Sequence, residues 1–243
     1  MKIIDALISK VNSETPVRDI RQGPFQTAVL TRNCGLASTP HDIGPHHNNL
    51  PVGEAGHLLE KDALIIAKMA YSTKLLEAAI GMAAINSLLE IDESSCLDLN
   101  ARDLIFEKGR NKSVAIVGHF PFIPKLREVA KEVWVIEKNP REGDMTEAEA
   151  EDFIPQADVV GITGTAFTNH TIERLLGLCG SKAFIVILGD TAPLSQVLFD
   201  YGVDAISGTT VIDPELALRC VSEGATYRQI KGIRQLTMRK GRS

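Results

Sequence analysis

The stretch ADVVGITGTAFTNHTIERLLGLCGSKAFIVILGDTAP, residues 157–193, holds two short apolar runs, Val159–Ile162 and Phe184–Leu188. Between them lies a stretch of helical pattern, Thr168–Leu178. Two strands joined through a helix read as parallel neighbours in one sheet, because an antiparallel pair needs only a tight turn. The run AFIVIL (183–188) is apolar without alternation, as a parallel strand covered on both faces requires. The same rhythm continues outward. Val114–Val117 and Val133–Ile136 precede this stretch and Val203–Ile206 follows it. Ile123–Lys131, Glu147–Phe153, Pro193–Tyr201 and Pro214–Ser222 supply the intervening and final helices. The second half is therefore predicted to be an α/β domain built on a doubly wound parallel sheet.

The first half has a different rhythm. Ile3, Ile4, Leu7, Ile8 and Val11 recur at helical spacing, predicting a helix over 3–11. A strand follows at Phe25–Thr31, then a loop over 33–56 rich in Gly, Pro, His and Asn. Helices are predicted at Asp62–Tyr71 and Lys74–Leu89. In the second, Leu75, Leu76, Ala79, Ile80, Ala83, Leu88 and Leu89 are expected to line a buried face, and the small Gly81, Ala83 and Ala84 predict close packing. This reads as a small α+β domain over 1–107, joined at the charged segment Glu107–Lys112 to a second domain over 108–243.

Composition excludes several classes. Of 243 residues, 44% are hydrophobic and 23% charged, which is ordinary for a globular chain and unlike a disordered or collagenous one. The net charge of -5 argues against nucleic acid as the main partner. Arg228, Lys231, Arg234, Arg239, Lys240 and Arg242 follow Glu223 with no acid among them, and read as a solvated basic tail or as salt-bridge partners at helix ends rather than as a phosphate site. Cys34, Cys96, Cys179 and Cys220 form no C-x-x-C pair and are expected to be reduced thiols. Asp5 interrupts the apolar region a signal peptide needs, and no apolar run nears the ~20 residues that cross a bilayer. A cytoplasmic protein, with a homo-oligomer as the base-rate expectation, follows.

In an open parallel sheet, ligands bind beyond the carboxyl ends of the strands. Five loops fall there: GHFPF (118–122), EKNPREGD (137–144), TGTAFTN (163–169), GDTAP (189–193) and SGTTVIDP (207–214). Gly118 is followed by His, Phe, Pro and Phe rather than the glycines of a pyrophosphate cradle, so ordinary NAD binding is not expected. Glu137 ends the second strand where a ribose-binding acid would lie, which leaves room for an adenosyl ligand; its alternative is a surface acid beside Lys138 or Arg141. Thr168 or Asn169 is expected to cap a helix whose N–H groups could take an anion. Asp213, before Pro214, reads as a helix N-cap. His119, His170 and Asp190 are the candidate catalytic groups, the histidines as acid–base residues near neutral pH. Metal is the other possibility: His41, His46 and His47 lie in HDIGPHH (41–47), with Asp42 among them and Cys34 shortly before. These donors suit a divalent transition metal, though a polar loop has the same composition.

The strings LEAAIGMAAINSL (76–88), VGHFPF (117–122), IEKNPREGD (136–144), ADVVGITGTAFTNHTIERLL (157–176) and LGDTAPLS (188–195) resemble a prokaryotic family catalogued under heavy-metal chelation. GLAST (35–39) and VDAISGTTVIDPE (203–215) match further parts of its pattern. The resemblance covers nearly the whole chain. It implies a domain like the enolase N-terminal domain, a Rossmann-like domain after it, and a site in the cleft between them. Enolase activity is not implied, since that chemistry belongs to a barrel absent here. The cleft residues it implies are Thr39, Glu77 and Asn86 from the first domain. From the second come Gly118, His119, Phe120, Pro121, Glu137, Asn139, Thr163, Gly164, Thr165, Asn169, Asp190, Thr191 and Gly208.

Three functions follow as expectations. One is handling of a transition metal or metal chelate. Another is catalysis on a small anionic metabolite with an adenosyl or nucleotide ligand, Glu137 holding a ribose and His119 or His170 moving protons. The third is a ligand sensor without catalysis.

Overall fold

A computed structural model describes residues 1–11, 15–41 and 50–241. The chain opens with α1 (Lys2–Ile8), shorter than its apolar pattern, burying Ile3, Ile4 and Leu7. Three strands then form an antiparallel meander: β1 (Asp19–Gln22), β2 (Gln26–Leu30) and β3 (Cys34–Ser38). Only β2 was expected. β3 occupies the start of the predicted loop because Gly35 is a packing residue, not a turn. A Cβ there would collide with the backbone of Ala83 and Ser87.

Those backbone atoms belong to α3 (Leu75–Leu88), which follows α2 (Ala63–Lys68) and a 3₁₀ turn at Met69–Tyr71. Every residue from Ala78 to Ile85 is buried, so α3 has no solvent face over that span. Leu75 and Leu76, predicted to be buried, are only partly so, since they precede the sandwiched span. The expected close packing is present: a Cβ on Gly81 would strike the backbone of Met69 and Ala70.

From β4 (Cys96–Leu97) and α4 (Ala101–Gly109) onward every strand belongs to a second sheet. Its other strands are β5 (Ser113–Val117), β6 (Glu132–Glu137), β7 (Met145–Thr146), β8 (Val159–Thr163), β9 (Phe184–Leu188), β10 (Ala205–Val211) and β11 (Ile233–Arg239). The order is β4-β11-β10-β9-β8-β5-β6-β7, parallel from β10 through β7 and antiparallel at β11. Helix α4, unforeseen, buries Leu104 and Ile105 among Val114, Ile116, Val159 and Val186 on one face of this sheet.

The remaining helices are α5 (Ile123–Arg127), α6 (Ala150–Phe153), α7 (Thr165–Thr168), α8 (Ile172–Leu178) and α9 (Pro214–Ser222). The helix predicted over 168–178 is split, because His170 adopts φ 61° between α7 and α8. Residues 193–201 form a 3₁₀ turn over Gln196–Tyr201 rather than an α-helix; so short a segment gains little by extending i→i+4 bonding. Helix α9 has its expected bounds, and Asp213 accepts from Leu216 N at 3.0 Å as its N-cap. The basic tail is not a tail. It forms β11, in which Leu236, Thr237 and Met238 are all buried, a short run that the flanking Arg234 and Arg239 disguised.

Candidate functional site

β5 leads to β6 on one side of the sheet, and the chain then crosses back so that β8 lies on the other. The loops leaving β5 and β8 therefore diverge, and a crevice opens at their carboxyl ends. A cleft of about 710 Å³ lies there. Val117, Gly118 and Thr163 line its mouth, Glu137 and Asp190 come from neighbouring strand ends, and Gln26 and Ser38 reach it from the small sheet. Gly208 lies within β10, because the segment 207–211, expected to be loop, continues that strand by pairing with β11. Arg102, Lys125, Lys138 and Arg228 also line it, against Glu137, Glu147 and Asp190, so its rim is rich in cations.

Gly118 has φ +99°, which turns the chain sharply off β5, and a Cβ there would press on Thr163. Phe120 and Phe122 stack beyond it, centroids 5.4 Å apart and planes 17° apart. His119 points one ring nitrogen toward Arg141 (3.4 Å) and the other toward the largely buried Asp144 carboxylate (3.9 Å). Glu137 lines the cleft and accepts a 2.8 Å hydrogen bond from Lys138 N–H. Neither the Lys138 nor the Arg141 side chain forms an ion pair with it among the described residues.

Asp190 forms the floor. Its Oδ1 accepts from Ser38 Oγ at 2.8 Å and from Thr191 N–H at 2.9 Å; its Oδ2 is buried and meets no donor. Burial pushes this carboxyl up from its ordinary value, against the Ser38 hydroxyl, the nearby Gln26 amide and the Thr191 N–H. Gln26 Oε1 is also buried without a partner. Beside this pair, Tyr227 OH meets Thr209 Oγ1 and the Gln235 amide, both at 2.8 Å.

The cleft thus gathers His119, Asp190, Gly118, Phe120, Pro121, Glu137, Thr163, Thr165, Asn169 and Gly208 from the residues expected of it. Others lie elsewhere for identifiable reasons. His170 is turned away by its positive φ, and its Nε2 meets Ala70 O at 2.8 Å. Glu77 is tied to Gly53 N–H (2.7 Å) and Ser72 Oγ; burial would raise its carboxyl, but these bonds and Lys74 hold it below the usual range. Asn86 donates to the carbonyls of Leu36 (2.9 Å) and Thr191 (3.3 Å), fastening α3 to both sheets. Thr39 is buried against Thr27, and Thr191 is buried with its hydroxyl accepting from Ser38 N–H. Gly164 serves contact between loops, since a Cβ would strike the Ala192 backbone. Asn139 is exposed and outside the cleft. Neither Thr168 nor Asn169 caps α8: its N-cap position is Thr171, which has no side-chain capping bond. Asn169 instead closes a local turn by accepting from Thr171 N–H at 3.2 Å and Thr171 Oγ1 at 2.7 Å.

Sequence reasoning missed Gln26, Ser38, Arg102, Lys125 and Tyr227. Ser38 lies within GLAST (35–39), a string already singled out; the others carry no pattern that marks them.

His41 packs edge-on to Phe25, ring centroids 5.4 Å apart. His46, His47 and Asp42 lie outside the described residues, as does Arg242. Among the described residues no three His, Cys, Asp or Glu side chains come together as a metal would need. The donors in the cleft do not fit a protein-chelated transition ion. No helix among the described residues is long and apolar enough to cross a membrane.

The fold and cleft define an α/β protein with a mostly parallel sheet, a small antiparallel sheet laid over its strand ends, and a ligand-sized crevice between. Two family models, both described as "Putative heavy-metal chelation", match residues 4–89 and 100–240, and the chain belongs to this family. An uncharacterised protein of Methanocaldococcus jannaschii is 27% identical over 173 residues, 68% of this chain and 66%, just under two thirds, of that relative. A crystal structure of a DUF364-family protein of unknown function from Desulfitobacterium hafniense superposes with a TM-score of 0.84 at 26% identity, covering 98% of this chain and 97% of that one. A second, from Pyrococcus horikoshii, gives 0.83 at 22% identity with 98% of each chain covered, a likeness of fold.

Proposed function

We propose that the cleft binds a small anionic metabolite carrying a nucleoside-type group, with Glu137 receiving the ribose hydroxyls. The observation that carries this reading is Glu137 itself. It ends β6 and lines the cleft beside the Gly118 turn, and its carboxylate accepts a neighbouring N–H rather than a side-chain cation. A carboxylate at the end of the second strand, beside the first crossover loop, is where dinucleotide folds hold ribose. The absence of a three-glycine turn after β5 favours an adenosyl ligand without a pyrophosphate. Lys125, Lys138 and Arg228 on the rim supply charge for the anionic part. His119, held between Arg141 and Asp144, is the group placed to move a proton on a bound ligand.

Thermal melts of wild type and Glu137→Ala with S-adenosylmethionine and with AMP test this. Ligand-dependent stabilisation of wild type that Glu137→Ala abolishes supports the reading. No shift with either compound overturns it.

Metal chelation is the second reading. It is favoured by the family description and by His41, which stands on Phe25, the neighbour of the cleft residue Gln26. Equilibrium dialysis against divalent metals, comparing wild type with the His41/His46/His47→Ala variant, tests it. Stoichiometric metal lost in the variant supports chelation at that loop.

A further inference from the structure

Four buried side-chain polar atoms among the described residues have no hydrogen-bond partner: Gln26 Oε1, Asn86 Oδ1, Thr168 Oγ1 and Asp190 Oδ2. Only Gln26 and Asp190 of these residues line the cleft. Both orphan atoms are acceptors, and the two residues are neighbours: Gln26 lies opposite Ser38 in the β2–β3 register, and the Ser38 hydroxyl bonds Asp190 at 2.8 Å. Leaving a buried acceptor unpaired is unfavourable, more so for a carboxylate. The protein has supplied donors generously to Oδ1, from the Ser38 hydroxyl and the Thr191 N–H, and none to Oδ2. No Lys, Arg or His among the described residues pairs with Asp190, although cations stand at the rim of the same cleft. A floor of acceptors under a cationic rim is complementary to a ligand with donors at one end and negative charge at the other.

We propose that the cleft floor recognises a planar group with two adjacent N–H donors, of amidine or 2-aminopyrimidine type, which bonds Asp190 Oδ2 and Gln26 Oε1 together. This rests on the reading of the cleft as a ligand site and adds which end of the ligand enters first. The two acceptors come from different sheets, Gln26 from β2 and Asp190 from the loop after β9, so one ligand edge bridges both parts of the molecule. The stacked Phe120 and Phe122 give the same cleft an aromatic wall suited to a flat ring.

Isothermal titration calorimetry on the full chain with benzamidine and with 2-aminopyrimidin-4-one tests this, with benzoate as a control lacking N–H donors. Wild type should bind at least one of the two probes and not benzoate. Benzamidine alone would identify the group as cationic, and the pyrimidinone alone as a neutral heterocycle. Asp190→Asn should weaken binding about ten- to a hundred-fold, the loss of a charge-assisted hydrogen bond, and Gln26→Met several-fold. Thermal melts establish that each variant is folded, and either variant alone suffices if the other is not. Full-strength binding by the folded variants, or no binding of either probe by wild type at millimolar concentration, overturns the proposal. S-adenosylmethionine titrated in the same series keeps the two readings apart. Its failure beside successful probes removes the ribose assignment alone, and the reverse result removes the donor-group assignment alone.

Discussion

Ser38 reaches across the molecule to the loop after β9: its hydroxyl donates to Asp190 Oδ1 at 2.8 Å and its N–H to Thr191 Oγ1 at 2.9 Å. Ser38 is the last residue of the small sheet, so that sheet supplies one wall of a cleft whose other walls are strand ends of the large one. Neither half contains the site alone. Removing these cross-links should therefore disturb stability and ligand binding together.

Thr191→Val keeps the shape of the side chain but leaves the Ser38 N–H without an acceptor. The expected loss is about 1–3 kcal/mol, read as a shift in the urea midpoint. Thr191→Ser, which retains the hydroxyl, should lose less. Equal losses in the two variants would mean that the hydroxyl lost in valine counts for no more than the methyl lost in serine, and would count against a dominant role for the Ser38 hydrogen bond.

Asp190 should make stability depend on pH in a defined direction. Burial raises its folded-state pKa, while in the unfolded chain it loses its proton near pH ~3.9. A raised carboxyl contributes stability that is fully present below the unfolded value and is lost as pH rises through the folded one. The stability of wild type relative to Asp190→Asn, which cannot ionise, should thus decline from about pH 4 upward and level off once the folded carboxyl is charged. Denaturant titrations at a series of pH values give this difference, and a constant difference would count against the raised carboxyl.

His170 joins the halves a second time through its 2.8 Å contact with Ala70 O, and it holds φ 61°. Both His170→Ala and His170→Gly lose the contact, but only alanine retains the left-handed strain. The glycine variant is expected to be the more stable by about 1 kcal/mol. The comparison of melting midpoints separates backbone strain from the side-chain bond.

In an ordinary helix interior, Gly→Ala gains about 1 kcal/mol. At Gly81 the sign should reverse, because the added methyl meets the backbone of Met69 and Ala70, which cannot move aside as a side chain can. A loss of about 2–3 kcal/mol in chemical denaturation is expected. Gly35→Ala should behave alike where β3 crosses α3.

Burial pushes the thiols of Cys34 and Cys179 up to about 12. Alkylation by iodoacetamide near pH ~8 should leave both unmodified in the folded protein and label them after unfolding, because the thiolate is the reacting form. Peptide mass spectrometry reads the outcome site by site.

Strands β5, β6, β8 and β9 were legible because helices cover both faces of the sheet there, so each announces itself as an apolar run between helical stretches; the two-residue edge strand β7 was not. Nor was β11. Its apolar residues Leu236 and Met238 stand between arginines, and only pairing with β10 shows which of the two patterns rules. β3 was lost to the opposite error: Gly35 and Gly-rich neighbours looked like loop, whereas the glycine is there to let a strand touch a helix. Helix α3 was read as one-sided, a natural inference from periodicity, but two layers cover it and its small residues serve both.

Of the candidate site, the strand-end loops could be placed from the sequence, since parallel topology puts them at one edge. That is why Gly118, His119, Glu137, Thr163 and Asp190 were placed at the cleft, whereas Gly208, also expected in a loop, lines it from within β10. Glu77, Asn86 and His170 have the same chemistry as ligand-binding residues, but they lie outside the cleft, where the Glu77 carboxylate, the Asn86 amide nitrogen and the His170 ring bond to other parts of the protein. Gln26 and Ser38 were invisible for the converse reason: a polar residue in a strand is unremarkable until one knows what faces it. The order of apolar and polar residues along the chain determined the sheet, its direction and the edge where a ligand could lie. Which polar groups are left without partners at that edge is a property of distant segments brought together, and only the tertiary structure decided it.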